Sequence, residues 1–387
     1  MNSDDDVVIV SALRTPMCRS RKGALAKVFP HTLLQTVLEA TVSRTNNKLS
    51  ANEIEDICVG NVLMPPSGFA AMRMAQITAG IPETVSLHSV NRQCASGLEA
   101  VAQIASAIAT KQIDIGVGAG VESMSTYPMN KMKPPEMDWS AVQDNTTAMD
   151  CLVPMGITSE NVVKKYGLSR RPLDEFSALS HQKAARAQQT GKFNAEIVPV
   201  GSVSKDDGIR PGTTVERLSK LKPVFDENGV TTAGNSSQTT DGAAAVLLTT
   251  RKEAKSRGLP ILGIWRGYAT KGVPPRIMGV GPAYAIPAVL EKTGLSVDDI
   301  DVFEINEAFA SQATWSIEKL GIPAEKVNPN GGAIALGHPL GCTGARMVAT
   351  LLHEMHRSKK RFGVISMCIG TGMGAAAVLE VEPSSRL

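Results

Sequence analysis

Two cysteines, a histidine and an asparagine in this sequence each stand on a turn built from glycine or other small residues, a setting that leaves a reactive side chain open to a substrate. Cys94 lies in Ser89-Val-Asn-Arg-Gln-Cys-Ala-Ser-Gly97, where a strand pattern gives way to a helical one. A thiol at a helix N-terminus faces free N–H groups, which lower its pKa and favour the nucleophilic thiolate; a buried structural cysteine is the plainer alternative. His338 sits among five glycines in Asn330-Gly-Gly-Ala-Ile-Ala-Leu-Gly-His-Pro-Leu-Gly-Cys-Thr-Gly344. Its imidazole can act as a general base or, protonated, as an oxyanion donor, unless it is simply a satisfied loop histidine. In Ser366-Met-Cys-Ile-Gly-Thr-Gly-Met-Gly374 a strand delivers Cys368 onto another glycine turn, whose N–H groups suit an oxyanion site. Asn306, in Glu304-Ile-Asn-Glu-Ala-Phe-Ala310, marks a strand-to-helix passage and also suits a helix cap.

Two tempting motifs fail. Gly332 to His338 mimics a phosphate-binding G-x-x-x-x-G-K, but His338 replaces the lysine and Pro339 the Ser/Thr. The G-x-G after Cys368 stands too close to the chain end for the helix, strand and acid of a dinucleotide fold. His353 and His356 lack zinc-helix spacing, and no other grouping has metal-ligand spacing, so no metal is expected.

The elements that must position these residues alternate in type. Short β-branched runs at Val7–Val10, Ile57–Val59, Ile113–Val117, Ile261–Trp265, Ile300–Phe303 and Phe362–Met367 predict strands. The stripes Leu98, Val101, Ile104, Ala105, Ile108 and Met347, Val348, Leu351, Leu352, Met355 predict helices, as does Asp174–Gln189. Asp56-Ile-Cys-Val-Gly-Asn61 is similar to Asp301-Val-Phe-Glu-Ile-Asn306, Val90-Asn91 to Val327-Asn328, and Ile113–Val117 to Gly363–Met367. Similarities in the same order predict one α/β unit duplicated and packed on itself. Between the halves periodicity weakens and proline rises, which predicts a large functional insertion.

Composition removes other classes. With 43% hydrophobic residues in 387, the chain buries a full core and is no disordered linker. A net charge of +3 is too small to steer the whole chain onto nucleic acid, and no apolar run is long enough to span a bilayer. Six cysteines without a C-x-x-C pair suit a reducing compartment. The terminal Ser385-Arg386-Leu387 is a variant of the S-K-L peroxisomal address.

These features together resemble the thiolases, from Val7-Val-Ile-Val-Ser-Ala-Leu-Arg-Thr-Pro16 through Asn235-Ser-Ser237 and Asp241-Gly-Ala-Ala to the N-E-A-F, G-H-P-x-G-x-T-G-A-R and C-I-G-x-G-x-G signatures. The resemblance implies duplicated βαβαβαββ halves in a five-layer αβαβα core with a large inserted loop domain. The halves would comprise residues 1–122, with about 242–262, and 263–387, and the insertion 123–241. It implies that Cys94 is the acyl-accepting nucleophile, His338 its base and Cys368 the second acid/base. Asn306 would hold a water that, with His338, stabilises one oxyanion, while the N–H groups of Cys94 and Gly370 stabilise the other. Ser237 and Met155 correspond to pantetheine contacts and Lys222 to a contact with the adenosine phosphates. Coenzyme A is then a co-substrate, with no permanently bound cofactor. Pro154-Met155-Gly156, where biosynthetic members usually carry His-Met-Gly, resembles the degradative peroxisomal branch, which cleaves 3-ketoacyl-CoA; the biosynthetic acetoacetyl-CoA branch is the alternative. A homodimer and a peroxisomal location reached through the import receptor follow from the resemblance and the tail, with the cytosol as fallback. A decarboxylating condensing relative would lack Cys368, and a non-enzymatic one would have lost the nucleophile.

Overall fold

β-Branched runs extend because their forked side chains pack well on a pleated surface, and in this chain they are buried on both faces. The computed structural model describes residues 3–132 and 135–382, so the Ser385-Arg386-Leu387 tail lies outside the described residues. The strands are β1 (Val7–Arg14), β2 (Cys18–Arg19), β3 (Asp56–Gly60), β4 (Ser86–Val90), β5 (Ile115–Ser123), β6 (Thr240–Thr250), β7 (Gly263–Gly272), β8 (Val302–Ile305), β9 (Phe362–Ile369) and β10 (Met373–Glu380). Three begin later than their apolar runs: Ile113, Ile261 and Ile300 precede β5, β7 and β8.

The order β4-β3-β5-β6-β1-β7-β10-β9-β8, with β2 on β6, contains the same arrangement twice. In one half β3 lies parallel to β5, which pairs antiparallel with β6; in the other β8 lies parallel to β9, which pairs antiparallel with β10. The counterpart of β4 is reduced to one parallel bridge between Phe303 and Val327. β6 and β10 open with the same hexapeptide, Gly242-Ala-Ala-Ala-Val-Leu247 and Gly374-Ala-Ala-Ala-Val-Leu379, which escapes a search for strands because alanine favours helices. The halves meet along a narrow seam, where β1 pairs with β7 only at Val8–Ile264 and Ile9–Gly263.

Three apolar clusters define five layers. Helices α1 (Pro30–Ser43) and α2 (Gly68–Thr78) cover the outer face of the first half-sheet through Leu33, Leu34, Val37, Leu38, Met72 and Ala75. Helix α3 (Ser96–Ala109) lies in the middle. The insertion contributes α4 (Met155–Tyr166) and α5 (Arg170–Gln189), the latter starting before the Asp174 that the pattern predicts. Helices α6 (Gly281–Thr293) and α7 (Ala310–Lys319) cover the second half-sheet, and α8 (Leu340–Ser358) joins α3 in a central layer between the sheets. Among the described residues no helix is long and apolar enough to cross a membrane.

The two central helices touch backbone to backbone. A Cβ on Gly97 would stand 2.6 Å from the Gly341 carbonyl oxygen, and one on Gly344 2.2 Å from the Leu98 nitrogen. Buried Arg14, at the end of β1, anchors the insertion: its guanidinium bonds Glu196 Oε1 at 2.6 Å and both Asp206 oxygens at 2.7 and 2.9 Å.

Candidate active site

The turn that carries Cys94 connects β4 to α3 and is tied by its own polar groups. Gln93 adopts φ 48°, the left-handed region, which swings Cys94 out of the strand direction. The Ser96 hydroxyl fastens this bend, accepting from the Arg92 N–H at 2.9 Å and donating to the Gln93 carbonyl at 2.6 Å. The backbone N–H of Gly370, from the other half, and that of Cys94 itself both act on the thiol and favour its thiolate.

The second half supplies the rest from the ends of β8 and β9. Asn306 follows β8 and its N–H bonds Ser366 O at 2.9 Å, which sets it beside the strand that ends in Cys368. Asn328 holds this corner, accepting from Ile305 N at 2.9 Å and donating to Ile305 O and Glu307 Oε1. Cys368 is fully buried, in a cluster with Met278, Ala308, Met155 and Phe309, and its titration feels the Cys94 sulfur. After it, Thr371 and Gly372 take φ 70° and 95°, the tight reversal that carries the chain from β9 into β10.

His338 is 5% exposed and bonded on both ring nitrogens, Nε2 to Asn306 Nδ2 at 3.3 Å and Nδ1 to Thr343 Oγ1 at 2.7 Å. With the amide N–H2 toward it, Nε2 accepts and Nδ1–H donates to Thr343. Burial, aided by nearby Arg346, pushes the imidazole down to about 3, so it is neutral and able to take a proton at Nε2. The buried Asn306 Oδ1 has no partner among the described residues and can accept from a bound water.

One sequence-based expectation is corrected. The helix start was expected to lower the Cys94 pKa, but burial outweighs the two N–H donors and pushes the thiol up to about 11. Burial pushes the Cys368 thiol up as well. Thiol and imidazole are both neutral at rest.

Of the expected coenzyme A contacts, two lie beside this centre. Met155 belongs to the Cys368 cluster, and the Ser237 N–H bonds Ala308 O at 2.9 Å. Lys222 is exposed, on the loop leading to Phe225; that ring lies against Gly156, where a Cβ would stand 2.3 Å from it, and meets Phe309 edge-on at 6.3 Å. Phe225 thus links the Lys222 loop to the start of α4.

Two cysteines, a neutral imidazole and an amide with an unpartnered oxygen thus gather at the ends of duplicated half-sheets, the groups that forming a thioester would need. The chain matches the family described as thiolase, N-terminal domain, over residues 7–252, and thiolase, C-terminal domain, over residues 259–381. The chain belongs to the thiolase family. It is similar to peroxisomal 3-ketoacyl-CoA thiolase B of Rattus norvegicus, 57% identical over 392 residues that cover 98% of this chain and 91% of the relative. Among solved structures, the dimeric peroxisomal thiolase of Saccharomyces cerevisiae matches with a TM-score of 0.94 at 49% identity, covering 99% of each chain. The acetyl-CoA acetyltransferase of Bacillus anthracis matches at 0.88 and 36% identity, covering 97% of this chain and 98% of that one.

Several residues of the thiolase site were not singled out from the sequence. Thr343 was legible inside the G-H-P-x-G-x-T-G-A-R run, as a hydroxyl near the histidine. Asn328 and Phe225 carried no local signal, because their partners arrive from distant segments. Glu122 is another, a wholly buried carboxylate that accepts the Gly341 N–H at 3.0 Å.

Proposed function

We propose that this thiolase cleaves 3-ketoacyl-CoA with CoA, giving acetyl-CoA and an acyl-CoA shortened by two carbons, in peroxisomal fatty-acid β-oxidation. The observation that carries this reading is the buried corner where Asn306 Nδ2 meets His338 Nε2 at 3.3 Å, close to the Cys94 and Cys368 thiols, whose titrations are coupled. The N–H groups of Cys94 and Gly370, which favour charge on the Cys94 sulfur, would serve the oxyanion of a carbon bonded to it.

In the first half-reaction Cys94 attacks the 3-keto carbon as His338 Nε2 takes its proton. The tetrahedral oxyanion is held by the N–H groups of Cys94 and Gly370. The C2–C3 bond breaks, its electron pair passes to C2, and the enolate oxygen is met by the newly protonated His338 and by a water on Asn306. The Cys368 thiol protonates C2 and acetyl-CoA leaves. In the second half-reaction the Cys368 thiolate takes the proton of the incoming CoA thiol, whose sulfur attacks the Cys94 thioester. Cys94 departs, recovering its proton from His338. The two half-reactions are separated by a covalent acyl-enzyme, which gives ping-pong kinetics.

Met155 and Ser237 would hold the pantetheine arm and Lys222 the adenosine phosphates. The degradative branch is supported by Pro154-Met155-Gly156 and by the higher identity to the peroxisomal relatives than to the acetyltransferase. We take the protein to be a homodimer, as the dimeric yeast thiolase supports, and the terminal tripeptide to be read by the import receptor. We divide the chain into halves 1–122 with about 242–262, and 263–387, with the insertion 123–241 as the coenzyme A-binding part.

The test is CoA-dependent consumption of acetoacetyl-CoA and 3-ketohexadecanoyl-CoA by the parent and by Cys94→Ala. Turnover of the long substrate that vanishes in Cys94→Ala is expected. Activity on acetoacetyl-CoA alone would replace this reading with the biosynthetic one, and inactivity on both would end it.

A further inference from the structure

The duplication places a second, differently equipped corner opposite the one used for chemistry. In the second half Ile305 pairs with Ser366, and Cys368 pairs with Gly374. In the first half Gly60 pairs with Gly120, and Glu122 pairs with Gly242. Asn61 follows Gly60 as Asn306 follows Ile305, and Gly242 and Gly374 open the same hexapeptide. Asn61 and Glu122 therefore occupy the places that correspond to Asn306 and Cys368.

The two corners differ in saturation. Asn306 leaves its Oδ1 without a partner among the described residues, and Cys368 keeps a buried thiol whose titration feels Cys94. Asn61 is spent on the protein: Nδ2 donates to Val121 O at 2.7 Å and Glu122 Oε1 at 3.0 Å, while Oδ1 accepts from Met64 N at 3.0 Å. Glu122 also accepts the N–H groups of Val62 at 3.1 Å, Leu63 at 3.2 Å and Gly341 at 3.0 Å. Gly341 lies in the first turn of α8, immediately beyond the His338 turn, where free N–H groups and the positive end of the helix dipole face an anion.

We propose that Glu122 is a positioning residue for the reaction: its carboxylate fixes the first turn of α8, and with it the His338 turn, against the strand ends that face Cys94. The duplicated corner that does no chemistry aims the one that does. The proposal rests on the reading that Cys94 and His338 carry the reaction. Glu122 has a second effect, since its negative charge disfavours the Cys94 thiolate. Burial raises the Glu122 carboxyl to about 7 against its donors, so the charge is present in mildly alkaline solution, where Cys94 begins to ionise.

The experiment compares the parent with Glu122→Gln and Glu122→Asp, with Cys94→Ala as the background for alkylation. Steady-state cleavage of 3-ketohexadecanoyl-CoA gives kcat and KM, and iodoacetamide alkylation across pH 7 to 10.5 gives the titration of Cys94, which is coupled to Cys368 as well as to Glu122. Glu122→Gln presents an NH2 group to donors that need an acceptor, so kcat should fall about 10- to 100-fold with KM within about threefold. Its alkylation profile should move to lower pH, because an anion near the thiolate is gone. Glu122→Asp keeps the charge but cannot reach all four donors, so kcat should fall with the profile unmoved; it serves alone if the glutamine variant does not fold. Parent-like kcat in either folded variant overturns the proposal, as does an unmoved profile in Glu122→Gln. A parent without thiolase activity would instead refute the functional reading, and the alkylation profiles would still decide the Glu122 effect on Cys94.

Discussion

Replacing Thr343 by valine tests whether one hydroxyl decides where the His338 proton sits. Thr343 is fully buried, 2.7 Å from Nδ1, and valine fills its volume without leaving a cavity. In the parent Nδ1–H donates to this oxygen, which keeps the basic lone pair on Nε2, where the Cys94 proton would take the place of the Asn306 N–H. Valine removes the acceptor, so the Nδ1 proton is unpaired in a dry site and the tautomer protonated at Nε2, useless as a base toward Cys94, becomes competitive. The transition state loses more than the ground state, because the ring becomes an imidazolium there. A hydrogen bond to a charged group contributes about 1.5–3 kcal/mol, and each 1.36 kcal/mol is tenfold in rate, so acylation should slow about 10- to 100-fold. The assay is single-turnover acylation of Cys94 by 3-ketohexadecanoyl-CoA, quenched in acid and read as the covalent adduct by mass. Thr343→Ser, which keeps the oxygen, should recover most of the rate. Acylation within about threefold of the parent in a folded Thr343→Val protein would refute the tautomer argument.

Gly97→Ala should destabilise the fold by about 1–3 kcal/mol in denaturant unfolding, because the added methyl meets the Gly341 carbonyl at 2.6 Å and Ala345 N at 3.0 Å, neither a movable side-chain end. Asp206→Asn breaks the two-oxygen grip on a guanidinium with no exposure and should cost about 3–5 kcal/mol, with faster proteolysis in the segment around Glu196 to Asp206 as a second readout. Buried His181, whose Nδ1 accepts the Arg210 N–H at 3.2 Å, is held down at about 4 from 6.5, first by burial and then by Arg210. The unfolded chain takes a proton below pH 6.5 that the folded one refuses until about pH 4, so this stability is lost as pH falls through that window, about 3 kcal/mol in all. His181→Asn should accordingly show a shallower loss of stability from pH 6.5 to 4 in denaturant titrations.

What could be read in advance was whatever is local. Cys94, His338, Cys368 and Asn306 could be singled out because each stands at a strand end or glycine turn among small residues adjacent in sequence, and the structure sets His338 against Asn306. The central helices were legible from their apolar stripes. The alanine-rich strands β6 and β10 were not, since alanine is chosen there for the thin space between sheet and central helices, a property of the packed molecule. The Cys94 thiol was misjudged for a related reason: the helix start is local, whereas the burial that raises its pKa is produced by the opposite half. Glu122 stayed hidden because its acceptor role depends on backbone N–H groups from two remote segments.

The glycine contacts between α3 and α8 have a consequence for how this enzyme can vary. The helix led by Cys94 and the helix led by His338 rest on each other through bare main chain, so their spacing is a property of peptide geometry and no side chain adjusts it. Substitutions in the insertion leave that main-chain contact untouched, so the surroundings of the site can change while the spacing of the two helix starts stays fixed. The surroundings and the reacting pair are thus separately inheritable, one written in a loop-rich segment and the other in a contact that accepts no added atom.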